Sequence, residues 1–503
     1  MPRPGPAGNS QRTTRQRGAA LLIMALILIL GGAWLGLRIL GAARPAEATA
    51  VPRLVEAREA LLGATAATTG AVNQIPGVAS PGRMPAPDFL DPAGGNVYDG
   101  FTNQACARST WVAGAGLATL GGPAGIATTL RCFGRLPWAN LGLGAYAGVP
   151  ASDPAGVLPW YAVSGNLTDA CITALNPGVI DTTYAAFATG SCHLGAVGTR
   201  PFPWLTVRDP KGNLVTDRAA VVLILPGAPI GAQTRPAAPM QGPAAYLDSV
   251  TVTAGCAQPC VPGTYNNARF NWPDNVALSF IQCAQSGART TPDPGYAQPY
   301  NCNDRIVFIT IDELMEFAER RTAQYVADVL RAFYTTNFFF PYAAPLAQLA
   351  VPLRGQCENG ASAGLIPWVA TTGANPGPCT HPAFSTQILN WFKTNRWGDY
   401  LFYTVAPDCT QASPGSVANC GGGSGVRLGT GGTGNGRALV IGAGAPIASA
   451  PFAASRGVAQ VRPSTLIADY LDSIENSNGN TLFDSPTTSL SRSYNDKITV
   501  VAP

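Results

Sequence analysis

Charge is scarce in this chain. Lys and Arg number 32 and Asp and Glu 28 among 503 residues, so charged side chains make up 12% and the net charge is only +4. No basic run and no basic stretch interleaved with aromatics follows the N-terminal arginines, so the electrostatic footprint of a nucleic-acid binder is missing. Histidine is scarcer still, with His193 beside Cys192 and His381 two residues after Cys379. Zinc sites draw on paired Cys or His at spacings such as C-x2-C or H-x3-H, and neither is present. Cys256 and Cys260 stand four apart with no second pair. No nucleophile elbow, S-x-x-K pairing or H-E-x-x-H helix is read, so no catalytic residue is assigned. The run GGGSGVRLGTGGTGNG (421–436) lacks the G-K-[ST] ending of a phosphate loop and reads as a flexible loop.

Glycine and proline are plentiful, at 57 and 44, which points to long turn-rich connections. The length asks for two or three folded units. Twelve cysteines stand at 106, 132, 171, 192, 256, 260, 283, 302, 357, 379, 409 and 420. An even number, all far from the N-terminus, suggests disulfides formed in an oxidising compartment. Sequence does not determine their connectivity. The simplest arrangement pairs neighbours: Cys106 with Cys132, Cys171 with Cys192, Cys357 with Cys379, and Cys409 with Cys420.

One long apolar run breaks the pattern of short ones. Ala19 to Leu40 (AALLIMALILILGGAWLGLRIL) holds no acidic residue and a single basic one, Arg38. At 1.5 Å per residue it would span about 33 Å as a helix, enough to cross a bilayer core. Arg12, Arg15 and Arg17 precede it, as basic residues do on a cytoplasmic flank, which would leave the bulk of the chain outside the cytoplasm. A secretory signal cut after Ala42-Ala43 and a plain anchor are the alternatives. RQRGAALLIMALILIL resembles the class III signal of type IV prepilins and type II secretion pseudopilins. The resemblance implies cleavage after Gly18 by a prepilin peptidase, with Ala19 as the mature, N-methylated first residue. Major subunits of that family have Glu fifth in the mature chain, where this sequence has Ile23. Without that carboxylate the resemblance implies a minor subunit at or near a filament tip, its helix packed in the filament core through small residues such as Gly31 and Gly32.

Beyond the run, Pro45 and Pro52 are expected to interrupt a helix that resumes over Arg53 to Ala66, with Leu54, Ala57 and Leu61 on one face. Ala219 to Leu225 reads as a buried strand and Asn303 to Thr310 as another. Thr310 to Glu313 forms a capping box that opens an amphipathic helix. The landmarks then recur in order. RLPW at 135 answers to LIPW at 365, and LPWYAVS at 158 to LFYTVAP at 401; Cys171 answers to Cys409. VLILPGAPI at 222 answers to VIGAGAPI at 440, AYLDSV at 245 to DYLDSI at 469, and YNCNDRIVFIT at 300 to YNDKITVV at 494. Such a repeat takes precedence in any fold assignment. An insertion over Thr251 to Pro299 accounts for the main spacing difference.

The recurring aromatics Trp138, Trp160, Tyr161, Trp368, Phe402 and Tyr403 read as core, with an exposed glycan platform as the alternative. Pseudopilins of the G type carry a calcium-ordered loop near the C-terminus. At a comparable place ENSNGNTLFD offers Glu475, Asn478, Asn480 and Asp484 around Gly479. Asp91 and Asp99 form a thinner cluster, and a turn rich in Asn and Gly is the alternative reading. No other cofactor is expected.

The expected fold is α+β: an N-terminal transmembrane helix followed by two tandem pilin-like units, each a helix packed on an antiparallel β-sheet, with long disulfide-bearing loops. Residues 1–18 form a cleaved leader, 19–40 the membrane and filament-core helix, 41–310 the first unit and 311–503 the second. The expected function is that of a minor pilin or pseudopilin, a structural subunit and not an enzyme. Its expected partners are prepilin peptidase, other pilins or pseudopilins and the inner membrane, with no nucleic acid. It would sit as a single-pass inner-membrane protein with a cytoplasmic N-terminus and a periplasmic bulk, then enter a pilus or pseudopilus. A tip adhesin or exoprotein-binding module is the alternative, and an anchored exported enzyme a third.

Overall fold

The computed structural model describes residues 46–65, 81–88, 100–102, 133–149, 153, 156–164, 167, 174–181, 204–230, 233, 235, 243–252, 263–268, 279–283, 302–348, 354–369, 382–410, 420, 425–428, 434–446, 460–472, 474–478, 482–483 and 496–502. Helix α1 spans Ala46–Thr65 and runs through Pro52, which was expected to break it. Pro52 forfeits one backbone bond, and the turns after it are held by burial of Leu54, Ala57, Leu61 and Leu62.

A six-stranded sheet is built around β4 (Leu214–Leu225), with β1 (Phe133–Arg135), β2 (Trp160–Val163), β3 (Leu205–Arg208), β7 (Phe280–Ile281) and β8 (Arg305–Thr310). Strand β4 pairs antiparallel with β2, β3 and β8, and β2 pairs in turn with β1. Residues Ala219 to Leu225 are buried, as a continuous apolar run requires. On one face Val222 and Ile224 join Trp160, Leu205, Tyr246, Phe280 and Ile306 in a single core.

Strand β8 passes directly into helix α2 (Ile311–Asn337). Thr310 caps it, its Oγ1 accepting from Glu313 N at 3.2 Å. Glu313 turns its own carboxylate to Arg58 of α1, and Asp312 takes a two-pronged grip from Arg218 of β4. The buried face of α2 carries Leu314, Met315, Ala318, Thr322, Val326, Leu330 and Phe333 at helical spacing.

A second sheet has the order β15–β13–β10–β9, from β9 (Ala363–Leu365), β10 (Leu401–Val405), β13 (Ala438–Gly442) and β15 (Lys497–Ala502), all antiparallel. Helix α2 packs on β13 and β15 of this sheet and on β4 and β8 of the first. Short helices α3 (Pro382–Gln387) and α4 (Asn390–Thr394) precede β10, and α5 (Ile474–Ser477) precedes β15. Smaller sheets are the hairpin of β5 (Ser249–Val252) and β6 (Gly263–Asn266), and β11 (Val426–Leu428) with β12 (Gly434–Gly436) and β14 (Leu482–Phe483).

The expected architecture is corrected on three counts. No helix among the described residues is long and apolar enough to cross a membrane, and residues 19–40 lie outside them. The described chain is α+β with sheet predominating and few helices. The sheets are not purely antiparallel, since β3 pairs parallel with β7 and β11 with β14. Residues Leu54–Pro503 form one compact unit, because α2 covers parts of both large sheets.

Candidate functional site

Equivalent hydrogen bonds recur around β1–β2–β4–β8 and β9–β10–β13–β15. Tyr161 Oη donates to Pro85 O at 2.9 Å and Tyr403 Oη to Pro341 O at 3.0 Å. Burial pushes both phenols well above their ordinary range. Asp88 bridges Arg135 as Ala344 bridges Leu365. A Cβ on Gly134 would meet the Asp88 carbonyl, and one on Gly364 the Ala344 carbonyl, so each close approach demands glycine. Met84 N donates to Leu167 O at 3.1 Å and Phe340 N to Cys409 O at 2.8 Å. Leu167, and not Cys171, therefore occupies the place of Cys409.

Buried polar residues converge where each repeat closes its sheet. In the first repeat, Gln233 donates to Asp248 Oδ1 at 2.8 Å, and the Asn303 and Asp304 amides donate to Asp248 Oδ2 at 2.6 and 3.0 Å. In return Asp248 N donates to Asp304 Oδ2 at 2.7 Å, joined by Asn267 Nδ2 at 3.0 Å. Each aspartate thus accepts from the other's backbone. Arg235, held in left-handed backbone at φ 34°, donates to the Gly227 and Tyr246 carbonyls and lies 5.6 Å from the Tyr246 ring.

The second repeat rebuilds this cluster. Gln460 donates to Asp472 Oδ1 at 2.9 Å, and Asp496 Oδ2 accepts from Asp472 N at 2.7 Å and Asn476 Nδ2 at 3.0 Å. Arg462 donates to the Ala443, Gly444 and Tyr470 carbonyls and lies 5.6 Å from the Tyr470 ring. In both clusters the Oδ1 of the second aspartate, Asp304 or Asp496, is buried without a hydrogen-bond partner among the described residues.

The electrostatics follow from burial. Asp304 is pushed well above the usual carboxylate range by loss of solvent and then by the Asp248 charge, and Asp248 is raised by burial. Asp496 rises to about 7, first through burial and then through Asp472. Burial lowers Arg235 and Arg462, opposed by the aspartates around them. At one position the first repeat carries a charge where the second is apolar. Arg135, where the second has Leu365, lies 4.0 Å from the Trp160 ring and 4.6 Å from Tyr246, and pairs with buried Asp153 at 3.4 Å. Chemically, these clusters can hold a proton on a carboxyl and tie a turn to a strand.

Comparison with protein-family models, curated proteins and solved structures gave no match. The functional reading therefore rests on the chain itself.

Gly18, Ala19, Ile23, Gly31 and Gly32 lie outside the described residues, as do Cys106, Cys132, Cys171, Cys192, Cys256, Cys260, Cys379, His193, His381, Asp91 and Asp99. Cys409 and Cys420 form a disulfide, and so do Cys283 and Cys302, which the neighbour scheme left open. The second bridge packs with Val250, Val252, Tyr265 and Ile281. Asp248 and both sulfurs of that bridge lie within 4.8 Å of one another, but sulfurs bonded to each other offer no thiolate to a metal. Of the calcium candidates, Asn478 is exposed, Glu475 falls on α5, and Asn480 and Asp484 lie outside the described residues. Their neighbour Asn476 faces inward to Asp496.

Trp160, Tyr161, Phe402 and Tyr403 are buried, while Trp138 and Trp368 are half-buried against Gly100 and Gly355. One pattern has no counterpart among the expectations: Gly360-Ala361-Ser362-Ala363-Gly364 spells G-x-S-x-G. It leads into the edge strand β9 and not from a strand into a helix, so the setting of a nucleophile elbow is absent there. The signal for the paired clusters was present but unread: Gln-x-Arg-Pro occurs at 233–236 and again at 460–463.

Proposed function

We propose that the chain is a minor pilin- or pseudopilin-type structural subunit, processed after Gly18 and incorporated at or near the end of a filament. The observation that carries the reading is the leader: Arg15-Gln16-Arg17-Gly18 before an apolar run with Ile23 at the fifth mature position. Two further features support it. Disulfides at Cys283–Cys302 and Cys409–Cys420 suit an oxidising compartment outside the cytoplasm. The buried arginines and aspartates of both repeats are spent on backbone carbonyls, amides and each other, an arrangement suited to holding shape.

A second reading, a recognition module carried by the same subunit, is favoured by one observation. Val461 and Leu466 are exposed at 64% and 62% on the loop of the second repeat, and Val461 stands where the first repeat has Thr234. Mass spectrometry of the mature N-terminus in cells with and without prepilin peptidase tests the first reading. A methylated Ala19 that depends on the peptidase is expected; an intact Met1, or a cut near Ala43, would overturn it.

A further inference from the structure

Among the buried titratable groups, one is placed to respond to its surroundings. We propose that Asp496 is a proton-operated latch: protonated on Oδ1 it holds the Tyr470–Asp472 turn and α5 against the head of β15, and loss of that proton releases them. The geometry carries the assignment. Asp496 is fully buried, its Oδ2 receives Asp472 N and Asn476 Nδ2, and its Oδ1 has no partner among the described residues. An ionised carboxylate would leave that oxygen bare beside a second carboxylate, whereas a carboxylic acid places a hydrogen there. The first repeat repeats the arrangement at Asp304, with the same oxygen unpartnered.

The groups around Asp496 come from several elements. Asp472 on the turn opposes its ionisation, while Asn476 of α5 and Arg462 on the preceding loop favour it. Arg462 is shared, being faced also by Asp472, Tyr400 and Glu319 of α2. Glu319 is itself neutralised by Lys497, the next residue along β15, at 2.5 Å. Arg354 and Arg396 are occupied by Asp399 at 2.7 and 2.8 Å. One partly committed cation thus faces two carboxyls.

Folding raises Asp496 from 3.8 to about 7. The closed turn therefore binds the proton more tightly than the open one. Protonation favours closure fully below about pH 4, and that advantage disappears as pH rises through 7. Between about pH 4 and 7 one coupled proton lowers the closed-to-open ratio by up to about tenfold per pH unit, and above 7, where both forms are ionised, the ratio no longer changes. Asp304, wholly buried and faced by Asp248, is likewise held well above the usual carboxylate range, in a separate cluster of the first repeat.

The test uses the full chain. Infrared titration of the wild type between pH 5.5 and pH 8.5, buffer limits set about the 3.8-to-7 shift, should show a buried protonated-carboxyl band that fades near neutrality and is missing in Asp496→Asn. Hydrogen exchange of peptides covering 470–476 and 496–502, corrected for intrinsic rates, should lose up to about tenfold protection per pH unit between about pH 4 and 7 and level off above. Asp496→Asn should abolish that loss and Asp304→Asn should preserve it. The proposal is overturned if the wild type shows no such band, if protection does not change with pH, or if Asp304→Asn removes the change. The infrared arm needs only the wild type, so it decides even where a variant fails to fold.

Discussion

At the scale of single residues, the chain stabilises itself by satisfying buried polar atoms in duplicate. Tyr161 and Tyr403 each deliver a fully buried hydroxyl to a proline carbonyl between helix and sheet. Tyr161→Phe or Tyr403→Phe leaves a buried carbonyl without its donor, and each should cost about 1–3 kcal/mol in denaturant unfolding. An equal effect in both positions would reflect their equivalent geometry. Asp496→Asn should behave in the opposite sense at alkaline pH. It removes a group whose ionisation opposes folding, so the variant should gain on the wild type by up to about 1.4 kcal/mol per pH unit between about pH 4 and 7 and keep that gain without further increase above 7, read from thermal unfolding at a series of pH values. Below pH 4 the advantage should vanish. The landmarks Tyr-Leu-Asp-Ser and Asn-Asp were legible as repeated text, but their meeting was not. Asp248 and Asp304 stand 56 residues apart, and an insertion lies between them.

At the scale of elements, α2 is the piece on which both sheets depend. Its start is over-determined by the Thr310 cap, the Arg218–Asp312 pair and the Arg58–Glu313 pair. Its interior carries Glu319, which is 1% exposed, receives Gly444 N at 2.6 Å and pairs with Lys497 of β15 at 2.5 Å. Glu319→Gln keeps the shape but leaves the Lys497 ammonium without its counter-charge. It should therefore destabilise by about 3–5 kcal/mol in chemical denaturation, far more than the roughly 1 kcal/mol expected for Thr310→Ala. The cap and the apolar stripe of this helix could be read in the sequence because both are local, within four residues. Its charged centre could not, since a Glu amid an apolar face reads as a solvated position until the strand opposite is known. Pro52 is the converse case: a strong local signal for a break is overridden by burial of Leu54, Ala57 and Leu61.

At the scale of the whole molecule, the side chain and carbonyl of Asn395 join the two repeats, receiving Leu175 N at 2.9 Å and Asn176 Nδ2 at 2.8 Å. With α2 packed on both sheets, residues 54–503 should unfold in one cooperative transition, with calorimetric and van't Hoff enthalpies in agreement. Two resolved transitions would mean that each repeat stands alone. The sequence by itself determined the repeat, the order of its strands and the buried run of β4, because alternation, apolar runs and recurring short motifs are properties of neighbours along the chain. It also supplies the arginine-flanked apolar run on which the proposed function rests. Only the tertiary structure decided that one helix serves two sheets, that parallel pairs enter the six-stranded sheet and the small β12–β11–β14 sheet, and that Gln-x-Arg-Pro, Tyr-Leu-Asp-Ser and Asn-Asp close into a buried proton-holding cluster. Those outcomes depend on which distant groups are desolvated together. Desolvation is a property of packing in three dimensions, and no window along the chain records it.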